Sequence, residues 1–64
     1  MKFDDFVAML SNPAQNALEH AGINSFHMLA SLSKKELLSI HGIGPKTLAI
    51  VNESLEHMGM KLRG

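Results

Sequence analysis

Apolar residues recur along this chain at helical rather than strand spacing. Phe3, Phe6, Val7 and Leu10 fall at i, i+3, i+4 and i+7, which is one face of an amphipathic helix. Asp4 and Asp5 occupy its first turn, where carboxylates suit the positive end of the helix dipole. Ser11-Asn12-Pro13 then interrupts the pattern. Asn12 is a good N-cap and Pro13 suits the first helical position, so a second helix is predicted to begin there. Its stripe is Ala14, Ala17, Leu18 and Ala21, and Gly22 closes it. Asn24 is the predicted cap of a short third helix carrying Phe26, Leu29 and Ala30. Ser33-Lys34-Lys35-Glu36 has the form of a capping box, in which Ser33 and Glu36 each satisfy a free amide at the start of a fourth helix. That helix is expected to bury Leu37, Leu38 and Ile40. The longest helix follows His41–Lys46, with Leu48, Val51, Leu55 and Met58 as its stripe and Gly59 as its end. Met60 and Leu62 are expected to fold back onto the core, leaving Lys61, Arg63 and Gly64 frayed. The first helix either packs on the rest or stands off as a docking element.

No strand alternation, low-complexity tract or linker interrupts this series. The expected architecture is all-α, a compact bundle of about five short helices in one domain over residues 1–64. Sixty-four residues suffice for one thin-cored domain and not for two. The 45% apolar content argues for folding rather than disorder, and the 5% aromatic content means that the core is aliphatic. The absence of cysteine excludes disulfides and thiolate metal sites, and favours an intracellular, cytoplasmic setting. No apolar run approaches membrane-spanning length, so no membrane partner is expected. Six basic residues balance six acidic ones, which argues against tight non-specific binding to nucleic acid.

The most informative segment is Leu37-Leu38-Ser39-Ile40-His41-Gly42-Ile43-Gly44-Pro45-Lys46-Thr47-Leu48. Two glycines bracketing an apolar residue let the backbone reverse between helices, with Ile43 plugging the gap. Gly44 leaves the following amides open at a helix start, and those amides, the helix dipole and Lys46 form a ready anion site suited to a backbone phosphate. The Thr47 hydroxyl supplements them. This is a helix-hairpin-helix pattern, although a Gly-x-Gly-Pro turn can also serve only to pack two helices.

From Leu10 to Leu62 the sequence resembles the C-terminal domain of the bacterial RNA polymerase α subunit, without gaps over most of its length. The resemblance rests on Asn16-Ala17-Leu18, Ala21-Gly22-Ile23-Asn24, Leu29, Glu36-Leu37-Leu38-Ser39-Ile40, Gly44-Pro45-Lys46-Thr47-Leu48 and Gly59-Met60-Lys61-Leu62. It implies a SAM-like helical fold that contains the helix-hairpin-helix, docks on the DNA minor groove and presents a surface to transcription regulators. By the same resemblance, Asn16 matches a minor-groove asparagine, Gly44 and Lys46 match phosphate-contacting positions, and Thr47 replaces a serine. Gly42 stands where an asparagine can contact the backbone. Pro13 stands where the family has its most important DNA-binding arginine, and Glu19 where a basic residue is common. Minor-groove readers insert a cation into a negative groove, and proline offers none.

Lys34 and Lys35 lie at a helix start and join Lys46 as candidate DNA contacts, since Ser33 to Thr47 hold three lysines against one glutamate. Glu53 and Glu56 place the opposite charge on the last helix. His20, His27, His41 and His57 show no metal-ligand spacing, so no metal or other cofactor is expected. The serines lack an acid–histidine frame, so no catalysis is expected. Two functions remain open. One is a weak, sequence-nonspecific DNA-binding module that uses Asn16, Gly42, Gly44, Lys46, Thr47, Lys34 and Lys35. The other is a protein-interaction module of the same fold that binds a transcription regulator or the polymerase. Pro13 and the zero net charge favour the second, while Gly44, Lys46, Thr47 and Asn16 favour the first. Either would act as a monomer, with weak homodimerisation open; exposed apolar surface around Met28, Phe3 or Met9 would favour a protein partner.

Overall fold

The computed structural model describes residues 1–64 and contains five helices: α1 (Phe3–Ala8), α2 (Asn12–His20), α3 (Phe26–Ala30), α4 (Lys34–Leu38) and α5 (Pro45–His57). Three of the five are capped by serine in one way. The hydroxyl accepts from the amide three residues on: Ser11 from Ala14 at 3.4 Å, Ser25 from Met28 at 3.2 Å and Ser33 from Glu36 at 3.1 Å. Two expected caps therefore shift by one residue. Ser11 rather than Asn12 caps α2, and Ser25 rather than Asn24 caps α3. Pro13 becomes the second helical residue, where its missing N–H still costs no helix bond.

Thirteen buried apolar side chains form one cluster drawn from every helix and from the α4–α5 turn. α1 packs on the domain rather than standing off from it. Phe6 is fully buried, and its ring lies 5.4 Å from that of Phe26. Phe3 meets the Phe26 ring edge-on at 5.1 Å, an orientation that the ring quadrupoles favour. Gly22 and Gly59 end α2 and α5 with the same pair of bonds. Ile23 and Met60 donate back to Leu18 and Leu55, and the two glycine amides donate to Glu19 and Glu56.

Three residues expected in the core lie outside it. Leu38 is 37% exposed because α4 is only five residues long and neighbouring Leu37 already faces inward; successive helical residues point about 100° apart. Ala21 and Met58 are the C-caps of α2 and α5, one residue past the last turn, and both are exposed. The C-terminal segment also departs from expectation. Met60 and Leu62 do lie against the core, but Arg63 is not frayed. Its amide donates to the Leu32 carbonyl at 2.9 Å, forming a parallel bridge with Ser33, and its guanidinium pairs with Glu36.

Candidate nucleic-acid interface

The turn between α4 and α5 is held by a close approach to α2. Gly42 adopts φ 102°, a left-handed conformation that other residues rarely take. A Cβ placed there would meet the Pro13 carbonyl oxygen at 2.8 Å and the Ala17 Cβ at 3.1 Å. Next to it, Ile43 is buried and anchors the turn in the core. The turn is thus pressed against the first turn of α2, and the two elements enclose an open groove of about 500 Å³. Its walls are Pro13, Asn16, Ala17, His20 and Ala21 from α2, and Ile40, His41 and Gly42 from the turn. Asn16 and Gly42, distant in sequence, therefore share one surface.

Beyond the groove, Gly44 has an extended backbone (φ −117°, ψ −177°) and caps α5 without any side-chain bond. Pro45 has no N–H to offer, and the amides of Lys46 and Thr47 have no backbone partner. The first engaged amide belongs to Leu48, which donates to the Gly44 carbonyl at 3.0 Å. A Cβ on Gly44 would stand in open space. Two amides without a backbone partner and the positive end of a 13-residue helix thus stand beside the exposed Lys46 side chain. Thr47 is only 8% exposed; its hydroxyl has no intramolecular partner yet is not sealed from solvent.

Lys34 and Lys35 are exposed but line neither wall of this groove. They sit at the end of α4 remote from the turn, beside the returning C-terminal segment. The start of α4 is closed. Glu36 donates its amide to Ser33, the Ser33 amide donates to the Glu36 carboxylate at 2.9 Å, and Arg63 pairs with the same carboxylate. The Ser33 amide bond, followed by Arg63, holds the Glu36 carboxyl below its ordinary range.

His20 and His41 are the groove residues that sequence reasoning missed. Their spacing fits no metal motif and carries no other local signal, and only the Gly42–Pro13 contact brings them to one surface. Nowhere do three or more His, Asp or Glu side chains gather as metal ligands would. Pro13 leaves the groove wall without a permanent cation.

Residues 9–57 match the family described as the C-terminal domain of the bacterial RNA polymerase alpha chain. The protein belongs to this family. It is 37% identical over 54 residues to the DNA-directed RNA polymerase subunit alpha of Alkaliphilus oremlandii (strain OhILAs), a match covering 84% of this sequence and 17% of that protein. It is 39% identical over 54 residues to the subunit of the same name from Staphylococcus aureus (strain N315), with the same coverage of both. The matched stretch thus spans about a sixth of the length of these relatives. Family membership makes this protein a non-catalytic domain of a transcription-related, DNA-binding family, and its five helices agree with that fold. No helix in it is long and apolar enough to cross a membrane.

Proposed function

We propose that residues 1–64 act as one weak, sequence-nonspecific DNA-binding module that grips backbone phosphate at the start of α5 and lays the Asn16–Gly42 groove against the minor groove. The observation that carries this reading is the open start of α5: two unpartnered amides, no side-chain cap, no Cβ at Gly44 and an exposed lysine in the same turn. Helix starts of this kind bind anions through oriented N–H groups and the dipole together. Phosphate contacts made this way fix position without reading bases. Lys46 supplies a charge that neutralises one phosphate. The Asn16 side chain has the donor and the acceptor needed to touch base edges in the minor groove. Zero net charge and the lack of a cation at Pro13 make the binding weak and strongly dependent on salt. Lys34 and Lys35 extend the contact along the backbone, away from the groove.

The test is a fluorescence-anisotropy titration of an A·T-rich duplex from low to physiological salt, with Lys46→Ala in parallel. The expected result is binding that weakens with salt, with the slope for Lys46→Ala shallower by about one unit. Absence of binding at low salt by a folded protein sinks the proposal.

A second reading is favoured by one observation. Met9 is 52% exposed and, with exposed Met1 and half-buried Ile50, lines a separate cleft against α5. Methionine surfaces adapt to varied apolar partners, so a transcription regulator or the polymerase could be bound there. Substitution of Met9 by Gln would then abolish partner binding and leave the DNA titration unchanged.

A further inference from the structure

We infer that His20 and His41 are phosphate-contacting residues of the DNA face and give it a charge that depends on pH. The inference rests on the DNA reading above and adds the residues and the regulation that its groove provides. Both side chains are exposed, and they converge on one groove from two elements, His20 from the last turn of α2 and His41 from the α4–α5 turn. The groove walls contain no carboxylate, lysine or arginine, so these two rings are its only titratable groups.

The charged groups of the elements packed around it line other surfaces. On α2, Glu19 lines the neighbouring groove with Asp4 of α1. On α5, Lys46 follows the turn at the open helix start. On α4, Lys34, Lys35 and Glu36 lie in the first turn, at the end away from the groove. Histidine gains its charge between about pH 8 and 5. A phosphate seated in the groove therefore meets side chains of the one type whose charge changes across that range. The two rings share the groove with Asn16, and His41 precedes the open start of α5 in the chain. A phosphate near either ring favours the protonated form, so binding takes up protons and strengthens as pH falls. Each imidazolium engaged with a phosphate also steepens the salt dependence by about 0.9 in log–log slope.

The experiment repeats the anisotropy titration between pH 8.0 and 5.5 with a metal chelator present, which prevents the two rings from bridging a stray ion. Wild type is compared with the His20→Gln/His41→Gln double variant and with a His27→Gln/His57→Gln double variant. The second pair lies on α3 and at the end of α5, off the groove. Circular dichroism establishes that each protein is folded at each pH. The expected result is a rise in affinity of about tenfold or more toward pH 5.5, with the steeper salt slope. The His20/His41 pair flattens that rise and the His27/His57 pair keeps it. Ring resonances of His20 and His41 titrate at higher pH with DNA than without. Binding that is insensitive to pH, or an equal flattening in both double variants, overturns this inference and leaves the phosphate clamp standing. No binding by folded protein at any pH overturns both.

Discussion

α4 begins with Ser33 and Glu36 each satisfying the other's amide and with Arg63 paired to the same carboxylate, whereas α5 begins at Gly44 with two amides and no side chain to take them. Both starts carry lysines in their first turns. At α4 the donors that would hold a phosphate beside Lys34 and Lys35 are already engaged, so charge alone would have to hold it. At α5, Lys46 stands beside free amides. A serine-type cap stabilises a helix by about 1 kcal/mol. A 64-residue domain is stable by only about 3–10 kcal/mol in all, so forgoing a cap at its longest helix is a material cost. The two starts thus divide the labour: one closes on its own backbone and holds the fold, and the other stays available to a ligand.

The largest expected effect comes from dislodging the turn that delivers the open start. Gly42→Ala forces a side chain into a left-handed conformation and against the Pro13 carbonyl. Left-handed strain of about 1–2 kcal/mol and overpacking of about 1–3 kcal/mol together predict a loss of roughly 2–5 kcal/mol in chemical denaturation. A loss below about 0.5 kcal/mol would show that the turn is not held against α2 as described. Gly44→Ala provides the contrast within the same hairpin. Its backbone is extended and its Cβ would meet nothing, so stability should change by less than about 0.5 kcal/mol. The added methyl group stands where a phosphate would approach the amides. DNA affinity should therefore fall about tenfold, the order of one charge-assisted hydrogen bond. Unchanged affinity in this folded variant would mean that the amides do not bind phosphate.

Ser33→Ala tests the closed start, and its effect should be the reverse. Loss of the cap lowers stability by about 1 kcal/mol in denaturant, while the DNA titration keeps the wild-type salt slope. A weakened salt slope would show that the capped start itself, and not only Lys34 and Lys35 beside it, takes part in binding and would erase the distinction between the two starts.

What can be read from the sequence divides along the same physical line. The capping box is legible because it is a contract between side chain and backbone over three residues, and Gly44-Pro45 announces an uncapped start for the same local reason. The aromatic face of α1 and the burial of Ile43 follow from spacing. The choice between Ser11 and Asn12, or between Ser25 and Asn24, is not legible, because all four residues cap well and tertiary packing selects the register. Leu38 and Met58 are misplaced by periodicity because helices of one or two turns, and helix ends, expose apolar residues that a long stripe would bury. Arg63 and the groove depend on contacts between distant segments: Arg63 with Leu32 and Glu36, and Gly42 with Pro13. No local pattern carries that information. The candidate DNA residues come from the hairpin motif and the family resemblance, so sequence reasoning reaches Asn16 and Lys46 but has no means of joining His20 to His41.

The smallest expected effect distinguishes the two starts by acid. Glu36 has a lowered carboxyl pKa in the folded protein, mainly through the Ser33 amide and then through Arg63. A carboxylate with a lowered folded-state value contributes stability above the ordinary value of 4.5, and that stability is lost as pH falls through the lowered value. Acid should therefore loosen the start of α4, whereas no carboxylate caps α5 to respond in the same way. In NMR spectra recorded from pH 7 downward, the Ser33 and Glu36 amides should shift with a midpoint below 4.5, while those of Lys46 and Thr47 show no step with that midpoint. Glu36→Gln still accepts from Ser33 but cannot titrate, and should remove the shift altogether. Arg63→Ala should retain the shift and raise its midpoint only part of the way to the ordinary value, because the bond from the Ser33 amide remains. A midpoint unchanged by Arg63→Ala would mean that the C-terminal segment adds nothing to the cap. A shift of the Lys46 amide with the same midpoint would mean that the two starts are coupled rather than independent.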